Sequence, residues 1–420
     1  MSDTILPFAL PDAGRLKTRA LDHTARRMVL SLLEGIHRGQ ITIADAEGTS
    51  TFGSPAPNFA PHPRVYIHHP RCYAWMLSGG SMGVAEAYMA GLWSTEQLTE
   101  VVRLVVANQA VFKGLDSGWM RLTEPFYKVA HWLRRNTVAG SRRNIVAHYD
   151  LGNDFYRLFL DPTMTYSAGI FEGPESSMEE ASIAKYDRIC RKLRLGPGDH
   201  VVEIGTGWGG FALHAATHYG CHVTTTTISE QQYAFARERF CAAGMTARIT
   251  LLKEDYRHLT GRFDKLVSIE MIEAVGHPFL GKFFQKCSDL LKADGLMALQ
   301  AITIRDQEYD QHRRSVDFIK RYIFPGSCIP SVGVMLDAVR KQTDLALCHL
   351  EDLTPHYART LAAWRQRFFD NIAQVRQMGF SEAFIRMWEY YLCYCEGGFS
   401  ERHIGNVQMV LAKPLFRAEA

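Results

Sequence analysis

The chain has 420 residues, of which 47% are hydrophobic and 22% charged, the balance of a globular protein and not of a disordered or collagen-like one. Forty-seven Lys and Arg against 44 Asp and Glu leave a net charge of +3, too even for an obligate nucleic-acid binder. Nine scattered cysteines without a CxxC pair argue against a disulfide framework and a zinc ladder, and for reduced thiols in a cytoplasm.

At about 150 residues per domain, two or three domains are expected. The opening MSDTILPFALPDAG has an early Asp and two prolines, which is not the pattern of a secretory signal. The longest run free of Asp, Glu, Lys and Arg, 204–229, is too rich in Gly, His and Thr to span a bilayer. Residues 1–115 read as a small α+β domain. Helical spacing over 26–36 is followed by a strand at 39–43, a polar Pro-rich patch at 53–63 and a strand at 64–68. Gly79-Gly80-Ser81-Met82-Gly83 precedes an amphipathic helix from Val84. It lacks the Lys-Ser/Thr of a phosphate loop and is read as a plain turn. Residues 116–145 form a basic linker, with Lys128, Arg134, Arg135, Arg142 and Arg143 set around Val129, Trp132 and Leu133. Two readings stay open there. One is a solvated linker helix; the other is a foot on an anionic membrane surface, where each basic residue contributes about 1 kcal/mol.

From 146 onwards strands alternate with helices. Strands are expected at 200–204, 222–228, 249–252, 266–269, 296–303, 345–350 and 407–412, with helices at 211–219, 230–243 and 279–291. Such alternation predicts a parallel, doubly wound α/β sheet with its ligands at the carboxyl ends of the strands. The stretches 307–340 and 357–396 are rich in aromatics and read as helical lid insertions over an apolar substrate.

The most specific local signal is Val201-Val202-Glu203-Ile204-Gly205-Thr206-Gly207-Trp208-Gly209-Gly210. A strand running through glycines into a helix lets the backbone approach a ligand at the helix N-terminus. Three features favour S-adenosylmethionine over a dinucleotide. Glu203 stands two residues before the first glycine, within reach of a charged amine. The next strand ends in Thr227-Ile228-Ser229, with no acid for ribose hydroxyls. The third strand is followed by Glu254-Asp255-Tyr256-Arg257, where a ring could flank adenine.

Five separated motifs carry a resemblance. They are HYDLGNDFY with Met164-Thr165-Tyr166-Ser167, VEIGTGWGG, SIEMIEAVG (268–276), RYIFPGSCIP (321–330) and YLCYCEGGF (391–399). Together they resemble the cyclopropane-fatty-acyl-phospholipid synthases and mycolic acid methyltransferases, and the likeness includes the N-terminal domain of the phospholipid enzymes. The resemblance implies a class I S-adenosylmethionine-dependent methyltransferase, with a Rossmann-like seven-stranded sheet over 146–420. It implies cofactor contacts at Tyr166 and Ser167; at Val201, Glu203, Gly205, Thr206, Gly207 and Gly209; at Thr227, Ile228, Ser229 and Gln232; and at Tyr256 and Arg257.

Methylating an alkene leaves a carbocation that must be shielded from water, and each aromatic face contributes roughly 0.5–2 kcal/mol of cation–π stabilisation. Tyr166, Tyr322, Phe324 and Tyr357 are candidates, and for most of them core packing is the competing reading. A proton must then leave. The family resemblance implies a bound bicarbonate as base, held by Glu273, Tyr357 and the backbone of Ile302. Two positions depart from the family, since Ala168 replaces its Cys and Gln300 its His. Glu270, three residues before Glu273, reads more readily as a solvated acid, and His277 as a helix-start or surface histidine. Cys395 matches the family's active-site cysteine; with no base beside it in sequence, it is expected to act by occupying space and not as a nucleophile.

The sequence therefore predicts an enzyme that C-methylates the double bond of an unsaturated fatty acyl phospholipid and forms a cyclopropane. A methylene- or methyl-branched product is the alternative. A small-molecule methyltransferase and a non-catalytic lipid-binding protein are the rival readings. S-adenosylmethionine and bicarbonate are the implied small molecules, with no metal and no nucleic acid. The expected setting is cytoplasmic, peripheral to the inner face of the membrane, with a homodimer suggested by the resemblance.

Overall fold

The computed structural model describes residues 20–116 and 151–417, and no helix among them is long and apolar enough to cross a membrane. The basic segment 127–144 and the opening His148-Tyr149-Asp150 of the first family motif lie outside these residues. The chain divides into two compact units, Met1–Leu133 with Ser315–Pro325 and Phe368–His403, and Arg134–Arg314 with Gly326–Arg367 and Ile404–Ala420.

The first unit holds a four-stranded sheet of order β2-β1-β3-β4, with β1 Gly39–Asp45, β2 Gly48–Ser54, β3 Arg64–Ile67 and β4 Trp93–Ser94. Strand β2 escapes the sequence pattern because it is an edge strand of Gly, Ser and Thr around a single Phe52, with no fully buried residue and only Ser50 and Phe52 half-buried. The glycine run at 79–83 is not a turn before a helix. It lies inside the helical stretch Arg71–Met89, which kinks at Gly80 (φ 55°, ψ −139°). A Cβ on Gly83 would stand 2.0 Å from the Trp75 carbonyl oxygen, so only glycine lets the two arms close. The C-terminal helix Glu382–Ser400 belongs to this unit, where Tyr88 donates to Glu389 at 2.6 Å and Thr99 to Glu396 at 3.0 Å. Both aromatic-rich insertions thus contribute segments, 315–325 and 368–403, to the first unit.

The second unit is built on seven strands: β5 His200–Ile204, β6 His222–Thr226, β7 Ile249–Leu252, β8 Phe263–Ile269, β9 Leu291–Ile304, β10 Ala346–Asp352 and β11 Ile404–Ala412. Their order is β10-β11-β9-β8-β5-β6-β7, parallel except for β11, which runs antiparallel to both neighbours. The order reverses beside β5, which makes the carboxyl ends of β5 and β8 the crevice where a ligand binds. Apolar layers close both faces, one through Phe211, Ala215 and Val223, the other through Phe283, Met297 and Leu299. Helix Met178–Leu193 covers one face; it opens on a Ser177/Glu180 capping box and carries Arg191 and Lys192 in its last turn, an arrangement that suits the helix dipole.

Candidate active site

The glycine loop leaves β5 and enters helix Gly210–Tyr219, with positive φ at Gly205 (101°), Gly207 (53°) and Gly209 (85°). The three glycines do different things. A Cβ on Gly209 would lie 2.7 Å from the Phe240 ring, and one on Gly205 3.3 Å from Met271, whereas one on Gly207 would meet no atom within 4 Å. Gly209 serves packing, while Gly207 faces open space of the kind a ligand's methionyl part needs. Glu203 is buried and accepts from Thr225 Oγ1 at 2.5 Å. Burial pushes its carboxyl up to about 7, against the pull of Thr225 and Lys185, and a ligand ammonium beside it would restore its charge. Beyond β6, Thr227 Oγ1 donates to Gln232 Oε1 at 2.8 Å and Ser229 caps the next helix. No acid stands at that strand end, where Thr227, Ser229 and Gln232 are the polar side chains. Arg257 is held by Asp255 at 2.7 Å, with its guanidinium 5.6 Å from the Tyr256 ring centre. The Val201 side chain is wholly within the core, and Ile228 is half-buried.

From this loop an aromatic wall runs across the unit. Trp208 lies 5.0 Å from Tyr156, Tyr156 5.4 Å from Tyr166, Tyr166 5.2 Å from Trp364, and Trp364 6.2 Å from Tyr357 between ring centres. The wall ends on a carboxylate, because the Tyr357 hydroxyl donates to Glu270 Oε2 at 2.8 Å.

Glu270 is the hub that gathers the predicted residues. Its Oε1 accepts from the Ala168 backbone N–H at 3.1 Å, from Gln300 Nε2 at 2.8 Å and from Asn406 Nδ2 at 2.7 Å. It follows directly on β8 with φ 48°, a left-handed conformation that costs a non-glycine residue about 1–2 kcal/mol. Antiparallel register sets Gln300 opposite Gln408 and Ile302 opposite Asn406. Gln408 Nε2 donates to Gln300 Oε1 at 2.9 Å, and Lys192 donates to Gln408 Oε1 at 2.6 Å. That relay orients the Gln300 amide so that its nitrogen faces Glu270 and the Ala168 carbonyl.

Glu273, by contrast, sits one turn on. Its Oε1 accepts from the Ile302 N–H at 2.5 Å, while Oε2 is buried without a partner. Burial first, then repulsion from Glu270, push its carboxyl up to about 8. Lys185 escaped the sequence reading. It is fully buried, donates to Ser167 Oγ at 2.7 Å, and is pushed down to about 8 by burial against the opposing charges of Glu270, Asp161 and Glu203. The available signal was its place on the apolar stripe Ala181, Lys185, Ile189 of an otherwise amphipathic helix.

Three further candidates belong to the first unit, and His277 to the second. Cys395 is on helix Glu382–Ser400 of the first unit, and burial raises its thiol far from a reactive thiolate. Tyr322 and Phe324 belong to that unit too, and the Tyr322 hydroxyl donates to Glu86 at 2.7 Å. His277 hydrogen-bonds the Tyr309 hydroxyl at 2.6 Å and Arg313 at 3.0 Å, a structural role. Among the described residues no group of three His, Cys, Asp or Glu could hold a metal ion.

Residues 137–409 match the family of mycolic acid cyclopropane synthetases. The chain is 35% identical over 409 residues to the tuberculostearic acid methyltransferase UfaA1 of Mycobacterium tuberculosis, covering 96% of this chain and 91% of that one. It is 33% identical over 354 residues to the cyclopropane-fatty-acyl-phospholipid synthase of Escherichia coli K12, covering 83% and 87%. Among solved structures, the mycolic acid cyclopropane synthase CmaA1 in complex with SAH and CTAB superposes with a TM-score of 0.61 at 32% identity, over 65% of this chain and 98% of that one. The chain belongs to the mycolic acid cyclopropane synthetase family, and is an S-adenosylmethionine-dependent methyltransferase of cyclopropane-synthase type with a class I fold.

Proposed function

We propose that the enzyme methylates the double bond of an unsaturated fatty acyl chain carried by a phospholipid, and completes the product by losing a proton. One observation carries this reading: the unbroken series of rings from Trp208 in the glycine loop to Tyr357, ending on the Glu270 carboxylate. S-adenosylmethionine supplies the electrophilic methyl group. The loop 205–209, Glu203, Thr227, Ile228, Ser229, Gln232, Tyr256 and Arg257 are the residues to hold it, together with Tyr166 and Ser167. Aromatic faces stabilise a cation and exclude water, so Tyr166, Trp364 and Tyr357 suit an alkene that turns cationic. Two relatives point to two products: one is named for a cyclopropane-fatty-acyl phospholipid, the other for tuberculostearic acid. Ala168 and Gln300, standing for the family's Cys and His, give weight to a methylene- or methyl-branched chain as the alternative to the cyclopropane.

The first unit is proposed as the docking or dimerisation module. The basic segment 127–144 is proposed as its contact with an anionic membrane surface at the inner face of the membrane. The test is mass spectrometry and NMR of monounsaturated phospholipids after incubation with methyl-labelled S-adenosylmethionine. The reading expects gain of one methylene unit with loss of the original olefin. Cyclopropane protons or an exomethylene pair then identify the product, and unlabelled lipid would remove the reading.

A further inference from the structure

We infer that Glu270 is a built-in carboxylate base, occupying the place that the family resemblance gives to bound bicarbonate. The inference rests on the reading of the site as an alkene C-methyltransferase. Each N–H and hydroxyl donor that would hold the anion is already engaged, and only the Glu273 carboxyl keeps an oxygen, Oε2, without a partner. The Ala168 N–H, one N–H of Gln300 and the Tyr357 hydroxyl all go to Glu270, and the other N–H of Gln300 goes to the Ala168 carbonyl. The Ile302 N–H is taken by Glu273. A neutral Gln has two N–H donors and a Tyr one, so nothing on these side chains is left for a free anion. Asn406 adds a further donor. Four donors converge on one side chain held in a left-handed conformation by its surroundings, and a strained residue so over-determined is a functional signature. Glu270 also stays half-buried while Gln300 and Ala168 around it are closed off, so the carboxylate keeps a side open to a substrate.

The two oxygens differ. Oε1 carries three donors, whereas Oε2 carries only the Tyr357 hydroxyl and keeps acceptor capacity for a proton. In methyl transfer the alkene π pair forms the new C–C bond, the C–S pair departs with sulfur, and the neighbouring carbon becomes cationic. Glu270 Oε2 then takes a proton from the transferred methyl. The released C–H pair closes a three-membered ring or, after a hydride shift to the first cationic centre, an exomethylene double bond. The carboxylic acid returns its proton to water, and no external base or reductant enters the balance. A saturated methyl branch would need a hydride donor and is outside this step.

The test compares the full chain with Glu270→Gly, a residue suited to the left-handed backbone at that position. In the presence of S-adenosylhomocysteine, 13C-bicarbonate NMR should show no saturable binding to the parent and clear binding to Glu270→Gly. Stripping carbonate should leave parental turnover unchanged within about twofold, while Glu270→Gly should fall by roughly 100-fold or more and recover with bicarbonate or formate. Glu270→Gln, which keeps the shape, should lose a similar factor at parental S-adenosylmethionine affinity. Saturable bicarbonate on the parent, carbonate dependence of the parent, or parental rates in Glu270→Gly or Glu270→Gln without added anion would each overturn the inference. Bicarbonate bound by Glu270→Gly without recovery of turnover would overturn the base role. Absence of any lipid methylation by the parent removes the functional reading instead, and leaves the binding comparison to stand by itself.

Discussion

Replacing Glu273 with Gln should make stability depend on pH in a defined direction. The carboxyl is raised from an ordinary 4.5 to about 8 by burial and by Glu270, so the folded chain binds that proton more tightly than the unfolded chain does. Its contribution to stability is present in full below about pH 4.5 and is lost as pH rises through about 8. Gln keeps the acceptor for the Ile302 N–H and carries no charge. The advantage of Glu273→Gln over the parent should therefore be near zero in acid and grow towards pH 9, with an upper limit of roughly 5 kcal/mol from the size of the shift. Glu203, raised to about 7, acts with the same sign but is common to both proteins and cancels. Adding Glu270→Gln to the parent should remove part of the repulsion and shrink the slope. Urea unfolding of the three proteins from about pH 5 to about pH 9 is the assay. A parent–variant difference that stays flat across that range would refute the placement of Glu273 as a buried acid pressed by Glu270.

The glycine loop offers a contrast. Gly207→Val should abolish S-adenosylmethionine binding by calorimetry, with a loss of melting temperature set by its positive φ alone, because its Cβ enters open space; Gly209→Val should lower the melting temperature further, because its Cβ also meets Phe240 at 2.7 Å. Ser167→Ala removes the acceptor of the buried Lys185 and should cost about 1–3 kcal/mol in urea unfolding, which Lys185→Met in the same chain should largely restore. Neutralising Arg134, Arg135, Arg142 and Arg143 together should weaken binding to anionic vesicles and flatten its salt dependence, with cofactor affinity unchanged. Equal sedimentation of both proteins with vesicles at low salt would return the segment to a plain linker.

How much was legible follows from what each element buries. The seven strands of the second unit are expected close to their observed positions, since the central parts of β5, β6 and β8 (201–204, 223–226 and 266–268) are buried on both faces and are mostly apolar or β-branched. The hairpin strand β2 is missed for the opposite reason, since none of its side chains is fully buried and Phe52 is its one large apolar residue. Periodicity is also local, so it could not show that Glu382–Ser400, late in the chain, packs with Tyr88 and Thr99 of the first unit. A long-range partner leaves no mark in the spacing of one helix.

The site divides along the same line. A glycine loop is readable because glycine is demanded by local backbone geometry, at Gly205, Gly207 and Gly209 alike. Ala168, Gln300 and Ile302 were reachable only through the family resemblance, Ile302 as a match and Ala168 and Gln300 as substitutions that weakened an anion site; Tyr357 was also an aromatic candidate. Read as losses, Ala168 and Gln300 left a site short of its donors; around Glu270 they become a matched set. Alanine keeps the N–H that Oε1 accepts, and Gln300 keeps a donor that cannot itself be deprotonated to compete as a base. An acid three residues from another at a strand end looks like a solvated surface pair. What separates Glu270 from that case is the φ of 48° and the convergence of β8, β9, β11 and the loop at Ala168, which is information held by four segments at once and by none of them alone.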